Sequence, residues 1–354
     1  MNRYAKYFLE AMEDANKFTA KLQKGIDNLM QIEEIKIGQT EKELVFQDGK
    51  RKLYHYQPRA EEVCPMPVLI VYALVNRYTM LDLQPDRSIV RNLLERGMDL
   101  YVIDWGYADR MDRFMTMEDY IDGFLNDSVD FICKGQGREA INLLGVCQGG
   151  TFSSIYSALY PEKVKNLISL VTPIDFATNE GLLNVWAAQF DVDLMVDAYG
   201  NIPGDVMNCS YQMIQPLTLS LQKYINMVEI MDDSNKMADF IRMETWIFDS
   251  PAQPGETVRK FLKDLYQDNK LIKGEFELGG RRVDLKNITM PVLNIYAEFD
   301  TLVPPSSSKA LLDYVGADDV EEVTFPVGHI GMFVSGKTQK NLAPKIAAWI
   351  KDRV

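Results

Sequence analysis

The chain has 354 residues, 47% apolar and 25% charged, with a formal net charge of −13 at neutral pH. That is enough for one large domain with an insertion or for two ordinary domains, and the mix is that of a globular protein rather than a disordered or fibrous one. The negative balance argues against non-specific nucleic-acid binding, because phosphates are repelled, while leaving room for a small anion on a local basic patch.

The longest apolar run, VLIVYALV from Val68, is far too short to span a bilayer. The opening MNRYAKYFLEAMEDANKF carries acids where a signal peptide needs an unbroken apolar stretch, so an intracellular chain is expected. Cys64, Cys133, Cys147 and Cys209 are scattered without a CxxC pair, which predicts neither disulfides nor a zinc site. The sequons at Asn126, Asn208 and Asn287 then read as chance matches.

In chain order, Phe8, Met12, Ala15, Phe18, Leu22, Ile26 and Met30 recur three or four apart and predict an amphipathic helix over residues 5–30. Its apolar face suits either its own domain or a partner chain. KELVFQDGKRKLYHY reads as a hairpin turning at Asp48-Gly49. From Pro67 the pattern is regular: strand VLIVYALV, helix RSIVRNLLERG, strand DLYVIDWG, a helix over 117–134, strand AINLLGVC, a helix over 150–160 and strand VKNLISLVTP. Thr116 and Asp119 resemble a capping box, with Asp in place of Glu or Gln. Short apolar strands alternating with amphipathic helices predict an α/β protein whose mostly parallel sheet is covered on both faces.

The alternation stops near Asp175. Residues 176–287 are rich in Met, Trp, Phe and Tyr, show helical stretches and lack a strand repeat. It resumes with strand PVLNIYAEFD, helix SSSKALLDYVG, strand VEEVTFPVGHI and a helix from Gln339 to Lys351. The expected organisation is an N-terminal helix and hairpin (1–66), a core in two parts (67–175 and 288–354), and a mainly helical cap between them (176–287).

Gly145-Val146-Cys147-Gln148-Gly149 fits the G-x-S-x-G nucleophile elbow with sulfur in place of oxygen. Glycines are needed there because flanking side chains would clash in the tight turn, and the helix start behind the cysteine favours thiolate. The alternative is a buried structural cysteine. A thiol nucleophile needs a base, and the chain has two histidines: His55 lies in the hairpin between two tyrosines, whereas His329 follows the last predicted strand, where this fold carries its base. The acid should fall between nucleophile and histidine. Asp300 ends strand VLNIYAEFD and fits, Asp175 is the rival, and Asp104 has the wrong order. Oxyanion donors are expected from the backbone N–H of Gln148 and, in the loop after the first core strand, of Val75.

LLGVCQGG, LIVYALVNRYTMLDLQPDRS, LYVIDWGY, YGNIPGDVMN, RMETWIFDSP, KFLKDLYQDNKLIKG and FPVGHIGMFVSGKTQK together resemble the catalytic subunit of class III polyhydroxyalkanoate synthases, which belong to the α/β-hydrolase superfamily. The resemblance runs from the N-terminal helix to the final residues and implies an α/β-hydrolase fold with an inserted cap. It also implies polymerisation of (R)-3-hydroxyacyl-CoA, chiefly short-chain, into a storage polyester by Cys147, Asp300 and His329. Acyl-CoA is then substrate and no cofactor is implied. The expected partners are the growing polyester, a second non-catalytic subunit (PhaE) and a homodimeric or heteromeric assembly at the surface of cytoplasmic granules. One departure is Thr301, where the family usually has His directly after the catalytic Asp. On the residues alone, a cysteine thioesterase or lactone hydrolase and a non-catalytic granule scaffold remain open. So does the choice between His329 and Asp300 as the group that activates the incoming hydroxyl.

Overall fold

The computed structural model describes residues 3–31 and 35–354. Among these, eight strands form one sheet: β1 (Lys42–Asp48), β2 (Arg51–Tyr56), β3 (Val68–Val71), β4 (Leu100–Asp104), β5 (Ile141–Val146), β6 (Val164–Leu170), β7 (Val292–Ala297) and β8 (Val320–Phe325). Their spatial order is β1-β2-β4-β3-β5-β6-β7-β8. β1 pairs antiparallel with β2 and β2 with β4, and the remaining neighbours are parallel.

The central strands are continuous runs of Val, Leu and Ile because both faces are covered. Val68 and Ile70 of β3 pack into one cluster, while Leu69 and Val71, one residue out of phase, pack into the other. On the Leu69 side the cover comes from Phe124, Phe152, Ile155 and Leu311; on the Val68 side from Val90, Leu93, Leu342, Ile346 and Trp349.

Several boundaries differ from the sequence expectation. The hairpin turns at Gly49-Lys50, not Asp48-Gly49, because Asp48 still pairs with Arg51; Gly49 takes φ +57°, as the first position of a two-residue hairpin turn requires. The helix expected from RSIVRNLLERG starts only at Ile89: Arg87–Ser88 pairs with Asp82–Gln84, and the Ser88 hydroxyl caps the helix by accepting the Arg91 N–H at 2.9 Å. Thr116 and Asp119 do cap each other, with Thr116 N–H donating to the carboxylate at 2.7 Å.

Between β6 and β7 the chain forms helices Leu182–Gln189, Val192–Tyr199, Gly204–Ile214, Lys223–Ile230, Ser234–Phe248 and Gly255–Lys260, with wider π-type turns at Leu217–Gln222 and Phe261–Gln267. It also holds a two-residue ribbon, Glu277–Leu278 with Arg281–Arg282, too short to leave a periodic signal in the sequence. The N-terminal helix, Arg3–Gln31, rests on this region near its own end: Gly25 packs on Met231, and Asn28 Nδ2 donates to the Met231 carbonyl at 2.9 Å. Farther out, Phe8, Met12 and Phe18 are exposed.

Candidate active site

Cys147 stands between the end of β5 and the helix Gln148–Leu159 at φ +53°, ψ −126°. Such an angle is costly for a residue with a Cβ, and the surroundings over-determine it. The Cys147 N–H donates to the Leu170 carbonyl at 2.9 Å, and its carbonyl accepts the Gly150 N–H at 2.8 Å. Two residues farther into the helix have no room for a side chain: a Cβ on Gly149 would lie 2.1 Å from the Val71 carbonyl oxygen, and one on Gly150 would lie 1.8 Å from Thr172 Oγ1. Glycine at these positions lets the elbow helix approach β3 and the loop after β6.

His329 follows β8 and Asp300 follows β7, so two neighbouring parallel strands deliver an imidazole and a carboxylate to the same sheet edge as Cys147. His329 Nδ1 is 2.7 Å from Asp300 Oδ2, and the thiol of Cys147 lies within hydrogen-bonding reach of the same ring. The other carboxylate oxygen, Oδ1, accepts the N–H groups of Leu302 (2.9 Å) and Val303 (2.8 Å). Burial works against a charge on His329, but Asp300 and the Cys147 sulfur outweigh it and lift the ring to about 10. The ring thus stands between a carboxylate and a sulfur, the order in which a base that serves a thiol would be placed.

The rival residues are engaged elsewhere. Asp175 accepts from Asn269 Nδ2 (2.8 Å) and the Ala177 N–H (3.0 Å), which ties the cap to the core. Asp104 pairs with Arg77 at 2.8 Å. His55 contacts Asp99 at 2.6 Å and stacks on Tyr101 with 4.1 Å between ring centres. Thr301 hydroxyl accepts from Gln215 Nε2 of the cap at 3.1 Å.

In the loop after β3, the Leu74 N–H is taken by the Gln148 side-chain oxygen at 3.0 Å. No hydrogen bond to the next N–H, that of Val75, occurs among the described residues. The Gln148 N–H belongs to the first helical turn, where donors lack intrahelical partners.

Three phenols that sequence reasoning missed also surround the thiol. Burial, with the Cys147 charge adding to it, pushes Tyr72 and Tyr266 far above the usual tyrosine range, and Tyr211 rises in the same setting. They come from the β3 loop, a cap helix and a π-type turn, so no spacing links them. Among the described residues no group of His, Cys, Asp and Glu is arranged to hold a metal ion, and no helix is long and apolar enough to cross a membrane.

Residues 66–335 match a profile described as the alpha/beta hydrolase fold, and residues 8–93 match one described as the N-terminus of poly-beta-hydroxybutyrate polymerase (PhaC). A poly(3-hydroxyalkanoate) polymerase subunit PhaC from Synechocystis is 54% identical over 97% of this chain and 93% of its own length. The chain belongs to the PhaC family. The PhaC subunit of Allochromatium vinosum is 50% identical, covering 95% of each chain. Structural neighbours of this PhaC-family chain include the monoacylglycerol lipase of Paleococcus ferrophilus (TM-score 0.55, 15% identity, 85% of this chain and 99% of that one). Another is a soluble variant of monoglyceride lipase from Saccharomyces cerevisiae (TM-score 0.56, 13% identity, 91% and 98%). At such identities they establish the α/β-hydrolase fold alone, which agrees with the parallel sheet and elbow described above.

Proposed function

We propose that this chain polymerises (R)-3-hydroxyacyl-CoA, chiefly short-chain, into polyhydroxyalkanoate with Cys147 as the covalent nucleophile, as in class III synthases. The observation that carries the reading is the convergence of Cys147, His329 and Asp300 in a chain 54% identical to a named polyester polymerase subunit.

The Cys147 thiolate attacks the thioester carbonyl, and the Gln148 and Val75 N–H groups stabilise the oxyanion. Each such donor is worth roughly 2.7–4 kcal/mol of barrier. Collapse breaks the bond to the CoA sulfur, the His329 imidazolium gives that sulfur its proton, and an acyl-Cys147 thioester remains. The ring, now neutral, takes the proton of an incoming 3-hydroxyl; its oxygen attacks the acyl-enzyme, an ester forms and the Cys147 thiolate leaves. The elongated chain, itself a CoA thioester, reloads Cys147. Both oxygens of Asp300 are already engaged, which supports His329 as the base for the hydroxyl and Asp300 as its orienting partner. Each exchange is redox-neutral and needs no cofactor. Sulfur suits it because the acyl-enzyme remains an activated thioester until the more stable oxygen ester forms.

The buried phenols of Tyr72 and Tyr266, with the cap, would exclude water, the competitor at every turnover. The second subunit PhaE, a homodimeric or heteromeric assembly, and residence on cytoplasmic granules complete the proposal. The test supplies 3-hydroxybutyryl-CoA with and without PhaE and follows thiol release and insoluble polyester. The expected result is polyester from the wild-type chain and neither product from Cys147→Ala. Free acid and CoA in equal amounts without polymer would make the chain a thioesterase, and wild-type rates from Cys147→Ala would overturn the mechanism.

A further inference from the structure

The loop that carries Val75 is held from two sides. From the core, Gln148 takes the Leu74 N–H and Asp104 pairs with the Arg77 guanidinium. From the cap, Trp246 Nε1 donates to the Arg77 carbonyl at 2.8 Å, and Asn76 Nδ2 donates to the Ile247 carbonyl at 3.2 Å and to the Ser250 hydroxyl. Ser250 is in turn fixed to Asn208 of another cap helix at 3.0 Å. Trp246 is buried against the core, and Asn76 holds the left-handed angle φ +57°, a conformation Asn tolerates better than most residues. The two residues immediately after Val75 are thus tied to the cap.

We propose that Trp246 and Asn76 are positioning residues for the oxyanion hole: by tying the loop to the 246–250 turn of the cap, they aim the Val75 N–H at the thioester oxygen. This rests on the reading of Cys147 and Val75 given above. An oxyanion donor works only at roughly 2.7–3.1 Å from the developing charge, so a small tilt of this peptide removes it. The Cys147 backbone and the Asp300 carboxylate are held from the core: the Cys147 N–H donates to Leu170, and Asp300 accepts from Leu302 and Val303, while the cap touches the next residue, Thr301, through Gln215. Loss of these cap contacts would therefore leave Cys147 in place but remove a donor, so water reaching the site would meet an acyl-enzyme that reacts slowly.

The experiment compares Trp246→Phe, which keeps a ring but removes the donor, with Asn76→Gly, which keeps the left-handed backbone but removes the tether. Each full-length variant is assayed with PhaE for CoA release from 3-hydroxybutyryl-CoA and, separately, for alkylation of Cys147 by iodoacetamide, a displacement at carbon that builds no oxyanion. The expected result in both variants is kcat down about tenfold or more, with KM and alkylation rate within about twofold of wild type. Unchanged kcat, a change in KM alone, or alkylation falling in step with kcat would overturn the inference, the last because it would mean the cap supports the thiol itself. A wild-type chain that releases no CoA, or a Cys147→Ala variant that still does, would instead sink the reading on which the inference rests.

Discussion

At Gly149 the space for a methyl group is already filled by the Val71 carbonyl, so a Gly149→Ala chain has to move either β3 or the elbow helix. Overpacking of this kind costs about 3 kcal/mol and re-aims the nucleophile, so both the denaturation midpoint and the iodoacetamide reactivity of Cys147 are expected to fall. Asp300 acts on His329 through its charge and one hydrogen bond. An Asp300→Asn variant is expected to bring the His329 ring down from about 10 toward its ordinary 6.5, read by NMR titration in a chain with only two histidines. An unmoved His329 titration would assign the shift to something other than the carboxylate. The meeting of Asp300 with His329 was legible in the sequence because two histidines left little choice and the chain order of the fold did the rest. Tyr72, Tyr211 and Tyr266 were not legible: each is an ordinary aromatic in its own segment, and only folding turns them toward one sulfur.

Among the elements, strand, elbow and helix could be read because a continuous apolar run, glycines without room for a Cβ and 3.6-residue spacing are local signals. The π-type turns were hidden, since widening a helix by one residue leaves its apolar spacing nearly intact; Tyr266 sits on such a turn at Phe261–Gln267. The hairpin was displaced by one residue because both Asp48-Gly49 and Gly49-Lys50 place glycine in the turn, and only the pairing of Asp48 with Arg51 decides between them. The N-terminal helix met its expectation in part. Its final turns pack on the cap, and a Cβ at Gly25 would lie 2.8 Å from the Met231 Cβ. A Gly25→Val chain is therefore expected to release the helix: limited proteolysis within residues 20–31 should accelerate severalfold, while the melting temperature of the remaining body stays within a few degrees of wild type. Unchanged cleavage would show that other contacts hold the helix.

For the whole molecule, the raised pKa of His329 makes stability depend on pH with a definite sign. The folded chain keeps that proton up to about 10, whereas an unfolded histidine releases it near 6.5. Within that window the native state binds more protons, so the contribution of His329, full below the lower value, is lost as pH rises through the upper one. Denaturant titrations across the window should show stability declining with pH, and His329→Gln should remove this component of the slope. The cap makes a second claim at this scale: substitutions that loosen its contact with the core, such as Asn269→Ala opposite Asp175, are expected to raise free hydroxyacid relative to polymer. An unaltered product ratio would deny the cap its part in keeping water out.

The cap is inserted between the strand that leads to Cys147 and the strands that lead to Asp300 and His329. During synthesis the sulfur therefore emerges from the ribosome long before the His329 ring and the Asp300 carboxylate, so the three side chains cannot meet until the last two strands of the sheet have been made.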